Sequence, residues 1–320
     1  MPITLDDVLA AKRRIAPYLQ PTPLRRYAPL EVAVGGARVF VKHENHQPTN
    51  AFKIRNGLSA MTALGAAERA RGVVAASRGN HGLGLAYAGQ VLSVPVTVCV
   101  PVGNNPEKNE AMRGYGATVI EEGGDYDDAV AVADRLTAER GLTLIHSTNH
   151  LGVLAGAGTL ALEILEECSD LDALVLALGG GSQTVGAITV ARARYPGTRI
   201  YAVQAAGAAA VHDSWHAGRI IEGATADTFA DGVATRSVSP LIFETLRSGL
   251  AGFETVTDAE IAEALRLLLR TTHNLVEGAG AAGLAGVLKL RREFAGQQVG
   301  IVLTGGNIDA QTLKAIVCEE

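Results

Sequence analysis

The feature that most constrains this chain is a joint that recurs along it. A short, wholly apolar run of strand length passes into a small polar or glycine-rich turn, and then into a helix-length run. Val73-Val74-Ala75-Ala76 leads through Ser77-Arg78-Gly79-Asn80-His81 to the apolar run Leu85–Leu92. Ala173–Leu178 leads through Gly179-Gly180-Gly181-Ser182-Gln183 to a helix expected over Thr184–Arg194. Val299–Leu303 leads through Thr304-Gly305-Gly306-Asn307 to a closing helix from Asp309. Strands that are apolar throughout belong to sheets covered on both faces. Further pairs follow the same order: Val94–Val100 with Pro106–Tyr115, Ala117–Glu121 with Tyr126–Arg140, and Thr143–Ser147 with Leu151–Glu167. Alternating strand and helix predicts a mostly parallel sheet, so the expected class is α/β. Ala206–Arg236 has little periodicity and is expected to be rich in loops.

Open parallel sheets bind ligands beyond the C-terminal ends of their strands, which is where these turns lie. The Ser/Gly/Asn turn brings free N–H groups at a helix start, which suit a carboxylate; Asn80 is equally placed as an ordinary cap. The three consecutive glycines let the backbone close around an anion without Cβ clashes. Each N–H bond to a charged group is worth roughly 1.5–3 kcal/mol, so three or four anchor a phosphate. A dinucleotide is disfavoured, because the G-x-G-x-x-G spacing fails at Thr184 and the strand Arg199–Val203 ends at Gln204, not at an acid. Thr304 puts a hydroxyl at a strand end, where it can meet a planar ring edge-on. Taken singly, each turn is also what a plain strand-to-helix joint looks like.

Lys53 changes that weighing. It lies in Pro48-Thr49-Asn50-Ala51-Phe52-Lys53-Ile54-Arg55, after the strand Arg38–Lys42, and it opens the apolar run Ile54–Leu64. A lysine at a helix start between Phe52 and Ile54 is partly desolvated, which lowers its pKa and frees the amine as a nucleophile. Capture of an aldehyde as a Schiff base is the natural use of such an amine.

Together the four segments resemble the fold-type II pyridoxal-phosphate enzymes, in the threonine dehydratase and serine racemase branch, from Leu5 to about Asp309. The resemblance implies two open, twisted, mostly parallel sheets with flanking helices, like the tryptophan synthase β chain. It implies a small domain at residues 47–149 inserted in a large one built from residues 1–46 and 150–320, with pyridoxal 5'-phosphate in the cleft. Lys53 would hold the cofactor and act as base at Cα, with Phe52 beside the ring and Asn80 at its 3-hydroxyl oxygen. Gly179, Gly180, Gly181 and Ser182 would bind the phosphate, Thr304 would face the pyridine nitrogen, and Glu277 would lie near the ring. Ser77, Arg78, Asn80 and His81 would meet the substrate, and the residue matching Ser77 is an opposite-face acid/base in the racemase.

A neutral hydroxyl at Thr304 leaves the ring nitrogen unprotonated, so charge made at Cα is relieved by expelling a β-substituent. The implied reaction is β-elimination of a β-hydroxy amino acid to a 2-oxo acid and ammonia; a racemase or β-replacement enzyme of the same fold is the alternative. Against replacement, Phe52-Lys53-Ile54-Arg55 lacks the Lys-Asp-Arg pattern of cysteine synthases. Several residues depart from the family pattern: Arg78 for a small residue, Asn50-Ala51 for Gly/Ser-Ser, Ser182 for a fourth glycine, and the polar Gln183-Thr184 for an aliphatic pair. They bring bulky or polar substrates such as phenylserine or hydroxyaspartate into view beside threonine and serine.

No metal is expected. Some relatives hold a divalent cation in the segment matching Gln204–Ala210, which here has no carboxylate. His212 and His216 lack a third ligand pattern for zinc. A net charge of −5 gives no footprint for nucleic acid. The amphipathic start (Leu5, Val8, Leu9, Ile15 behind a Thr4 cap) is no secretory signal, and no 18-residue apolar run points to a membrane. Three scattered cysteines fit a reducing cytoplasm. The expected partners are an amino-acid substrate and further copies of the chain, with a dimer favoured. With only a short tail after Asn307, the C-terminal regulatory domain of the biosynthetic threonine dehydratases is not expected, nor is feedback control by isoleucine.

Overall fold

A computed structural model describes residues 1–318. Two sheets carry the chain. The larger holds β1 (Leu24–Arg26), β2 (Arg38–Lys42), β7 (Ala173–Ala177), β8 (Arg199–Ala205), β9 (Gly252–Val256) and β10 (Gln298–Val302), in the order β1-β2-β10-β7-β8-β9. All its pairs are parallel except β1 with β2. The smaller holds β3 (Val73–Ala76), β4 (Val96–Val100), β5 (Thr118–Glu121) and β6 (Thr143–Leu144), in the all-parallel order β5-β4-β3-β6.

Side chains alternating along a strand feed two separate cores. In β7, Ala173 and Val175 join the core formed with helices Asp258–Thr272 and Gly278–Lys289. Leu174 and Leu176 join the one formed with Leu151–Glu167 and Ser182–Arg194. In β3, Val73 and Ala75 face Lys53–Thr62 and Asn80–Leu92, while Val74 and Ala76 face Tyr126–Arg140. Burial on both faces is why these strands read as unbroken apolar runs.

Two features position the site. The last strand, β10, inserts between β2 and β7, with Ile301 level with Val41 on one side and Val175 on the other. That insertion brings the ends of an early, a middle and a late strand to one place. Helices Lys53–Thr62 and Asn80–Leu92 also cross at a glycine contact. A Cβ on Gly57 would lie 2.5 Å from the Gly84 carbonyl oxygen, and one on Gly84 would lie 2.5 Å from that of Lys53.

Some expectations shift. The helix at the triple glycine starts at Ser182, not Thr184, and β6 ends at Leu144. Within the loop-rich stretch a helix forms at Ala210–Ala217, where the buried Ser214 hydroxyl ties Ala210 to Ile221. No helix among the described residues is long and apolar enough to cross a membrane.

Candidate active site

The approach to Lys53 is stitched to the loop after β10. The Phe52 N–H donates to the Thr304 carbonyl (2.9 Å), the Gly306 N–H donates to that of Asn50 (2.8 Å), and Ala51 pairs with Gly305. Asn50 adopts φ +51°, a left-handed conformation that asparagine tolerates and that glycine would adopt freely. One turn into the helix, the buried Arg55 donates from Nε to Glu44 (2.8 Å) and from Nη1 to Glu163 (2.7 Å). Lys42 meets Glu163 at 2.8 Å, so two cations balance two carboxylates. Burial alone would raise the Glu163 carboxyl; the Arg55 and Lys42 charges hold it below its ordinary value. Lys53 is thereby fixed at its root. Its Nζ lies 3.3 Å from Ser182 Oγ, 3.4 Å from the Ser147 carbonyl oxygen and 5.1 Å from the centroid of the Phe52 ring. Burial pulls its pKa down to about 8.

Facing that amine is the triple-glycine turn. A Cβ on Gly180 would lie 2.2 Å from Thr148 Oγ1, and Gly181 sits at φ +88°, so neither position takes a side chain without displacement. Among the described residues no acceptor meets the N–H of Gly180 or Gly181. The first-turn N–H groups of helix Ser182–Arg194 add to these, since a helix start has no partners of its own. This is a cradle for an anion.

A third wall comes from far apart in sequence. Asn80 Nδ2 donates to Glu277 Oε1 at 2.7 Å, and Asn307 Nδ2 donates to Asn80 Oδ1 at 2.8 Å. Burial pushes the Glu277 carboxyl up to about 7, against the opposing pull of Lys108 and Asn80. Thr304 Oγ1 is buried and has no hydrogen-bond partner.

The remaining expected residues divide. Ser77 is buried, and its Oγ accepts the N–H of Gly82 (2.8 Å) and Gly79 (3.2 Å) while donating to the Gly79 carbonyl (3.3 Å). These bonds let Ser77 brace the turn in which it stands. His81 Nε2 bonds to the Ile145 carbonyl at 2.9 Å, and burial, reinforced by Lys53, lowers its pKa to about 3. Its ring is thus a neutral link between two loops and does not carry the charge that a carboxylate would prefer. Arg78 is exposed and pairs with no carboxylate among the described residues. Lys108 packs over the neighbouring Gly79 and meets Asp231 at 2.6 Å.

Sequence reasoning missed Asn307 and the turn Ile145–His150. Ser147 touches Lys53, and Thr148 touches the glycine turn. His146 Nδ1 accepts the N–H groups of Thr148 (3.1 Å) and Asn149 (2.9 Å), which puts the ring proton on Nε2. A signal existed, for Ile145–His150 is one more polar turn between a short strand and a helix, and Asn307 closes the Thr304 motif.

An amine of depressed pKa, a cradle of free N–H groups and an orphaned hydroxyl fit one group well. Pyridoxal phosphate presents an aldehyde, a phosphate and a ring nitrogen to them. The profile of the pyridoxal-phosphate dependent enzymes matches residues 15–305. The chain belongs to that family. Within the family it is similar to the L-threo-3-hydroxyaspartate ammonia-lyase of a Pseudomonas species, with 37% identity over 97% of each chain. It is 39% identical to the L-threonine ammonia-lyase of Geobacter sulfurreducens over 88% of this chain and 70% of that one. The solved structure of maize serine racemase superposes with a TM-score of 0.94 at 30% identity, covering 98% of this chain and 97% of that one. The chain is accordingly a pyridoxal-phosphate dependent enzyme of the ammonia-lyase type with two mostly parallel sheets, as its motifs implied.

Proposed function

We propose that this ammonia-lyase acts on a β-hydroxy amino acid carrying a second carboxylate, with 3-hydroxyaspartate as the reference substrate and a 2-oxo dicarboxylic acid plus ammonia as products. The observation that carries the reading is Arg78, an exposed guanidinium without an acidic partner among the described residues, set in the loop between Ser77 and Asn80. A cation at that position suits a substrate that brings a second carboxylate. The N–H groups at the start of helix Asn80–Leu92 take the α-carboxylate, leaving Arg78 for the distal one.

Lys53 holds the cofactor and then removes the proton from Cα. With a pKa near 8, about a tenth of the free amine is unprotonated at pH 7, far more than for an ordinary lysine. The bound cofactor supplies an electron sink for the pair left at Cα. Gly180, Gly181 and Ser182 would hold the phosphate end, Thr304 would offer its hydroxyl to the ring nitrogen, and Phe52 would lie beside the ring. Asn80, braced by Asn307 and Glu277, would bond the ring's oxygen. Hydroxide leaving Cβ and the proton from Cα make up one water, and the unsaturated amino acid that remains hydrolyses to the 2-oxo acid and ammonia.

The reading includes a small domain at residues 47–149 that closes on the rest of the chain. Its supports are the ion pairs Lys108–Asp231 and Arg236–Asp127, which join the small-sheet segment to the loop between β8 and β9. A cytoplasmic homo-oligomer, dimeric in its simplest form, completes it.

The test is a panel of threonine, serine, phenylserine and both 3-hydroxyaspartate diastereomers, assayed for 2-oxo acid and for the enantiomer. The expected result is the highest kcat/KM on a hydroxyaspartate, with Arg78→Ala raising its KM about tenfold while threonine is unaffected. Equal or better turnover of threonine would overturn the dicarboxylate reading.

A further inference from the structure

We propose that Ser182 is a second catalytic residue, one that holds the Lys53 amine and passes the proton it acquires toward the anion in the glycine cradle. Ser182 Oγ accepts from Lys53 Nζ at 3.3 Å and from Asn56 Nδ2 at 3.4 Å. Two donors occupy the lone pairs of a hydroxyl, which leaves its own hydrogen to be given elsewhere. Ser182 is the first residue of its helix, directly after Gly181, so that hydrogen is available to the cradle described above. The side chain is 2% exposed, which keeps bulk water from doing the same work. The transfer balances. Lys53 takes one proton from Cα, the resulting ammonium gives one to Ser182 Oγ, and Ser182 gives its own to the anion in the cradle, from which the departing hydroxide takes it as water, so Ser182 ends unchanged and Lys53 returns to the free base.

The inference rests on Lys53 being the reactive amine, but not on which hydroxy amino acid is the substrate. Holoenzyme carrying Ser182→Ala, Ser182→Gly or Ser182→Thr would be compared at saturating cofactor. Removing the hydroxyl is expected to lower kcat about tenfold to a hundredfold, within the range of a lost proton carrier, with KM within about twofold. Thr is expected to restore most of the rate. Without substrate, the pH titration of the bound cofactor's visible absorption is expected to shift to lower pH in the Ala and Gly variants, because the protonated Lys53 nitrogen that bonds the cofactor has lost an acceptor. If kcat at saturating cofactor and the absorption titration both match wild type in those two variants, while only cofactor affinity weakens, Ser182 is a phosphate ligand alone and the proposal is overturned. Lys53→Ala run in parallel keeps the failures apart: turnover retained there defeats the lysine assignment itself, whatever Ser182 does.

Discussion

The two sides of helix Lys53–Thr62 treat buried polarity in opposite ways. Behind it, Arg55 (1% exposed) and Glu44 (0%) are paired at every reach, with Glu163 and Lys42 completing a neutral set, and Thr22 adding a 2.6 Å bond to Glu44. On the ligand side, Thr304 Oγ1 and Asn56 Oδ1 are buried with no partner, and the paired side leaves one such atom, Ser59 Oγ. Native proteins pair nearly all such atoms, so the orphans on the loop stitched to Phe52 and beside Ser182 mark where another molecule supplies the bonds. The paired side is scaffold. The unpaired side is the reaction chamber, and the helix between them transmits the rigidity of one to the geometry of the other.

The contrast breaks first at Lys53 itself. Lys53→Ala should cut kcat/KM about a thousandfold or more, since nucleophile and base are lost together; release of 2-oxo acid over time measures it, and residual wild-type turnover would leave the chamber without its central group. Next comes Arg55→Met, which strands two buried carboxylates. It should lower the unfolding free energy by about 3–5 kcal/mol in urea titrations, and a loss under about 1 kcal/mol would mean that the paired side is not the scaffold. Thr304→Val should show the opposite sign. Without cofactor, removing an orphaned buried hydroxyl should stabilise the chain by about 1 kcal/mol, while cofactor affinity falls about tenfold.

The smallest effect is a pH dependence. Folding raises the Glu277 carboxyl from 4.5 to about 7, so the folded chain holds an extra proton between those values, and stability falls as pH rises through that window. Glu277→Gln removes this fall. The melting temperature of the cofactor-free variant should match wild type near pH 5 and exceed it by about 2 °C at pH 8; a gap that narrows with rising pH would reverse the assigned cause.

Much of the fold was legible because its signals are local. Strands buried on both faces must be apolar along their whole length, and Val73–Ala76 and Ala173–Ala177 could be found by that rule alone. Residues 237–298 were harder. The capping box of Thr257 and Glu260 announces helix Asp258–Thr272, but β9 mixes Glu254 and Thr255 into a short run that resembles a loop. Of the site, the amine, the glycine turn and the terminal hydroxyl could be read directly, since each residue's own chemistry is unusual where it stands. The hydrogen bonds of Ser77 and His81 were not legible, because their partners, the Gly82 N–H and the Ile145 carbonyl, are brought to them only in the folded chain.

By itself the sequence determined which segments become strands and helices, which turns end in glycine or a hydroxyl, and that one lysine opens a helix in apolar company. Tertiary structure alone decided the meetings: Asn80 with Glu277 across 197 positions, Lys53 with Ser182 across 129, and Arg55 with Glu163 across 108. It also set the protonation of Lys53 and Glu277. Secondary structure follows from neighbours a few residues away, whereas hydrogen-bond partners and burial follow from how strands line up, and here everything turns on β10 entering between β2 and β7.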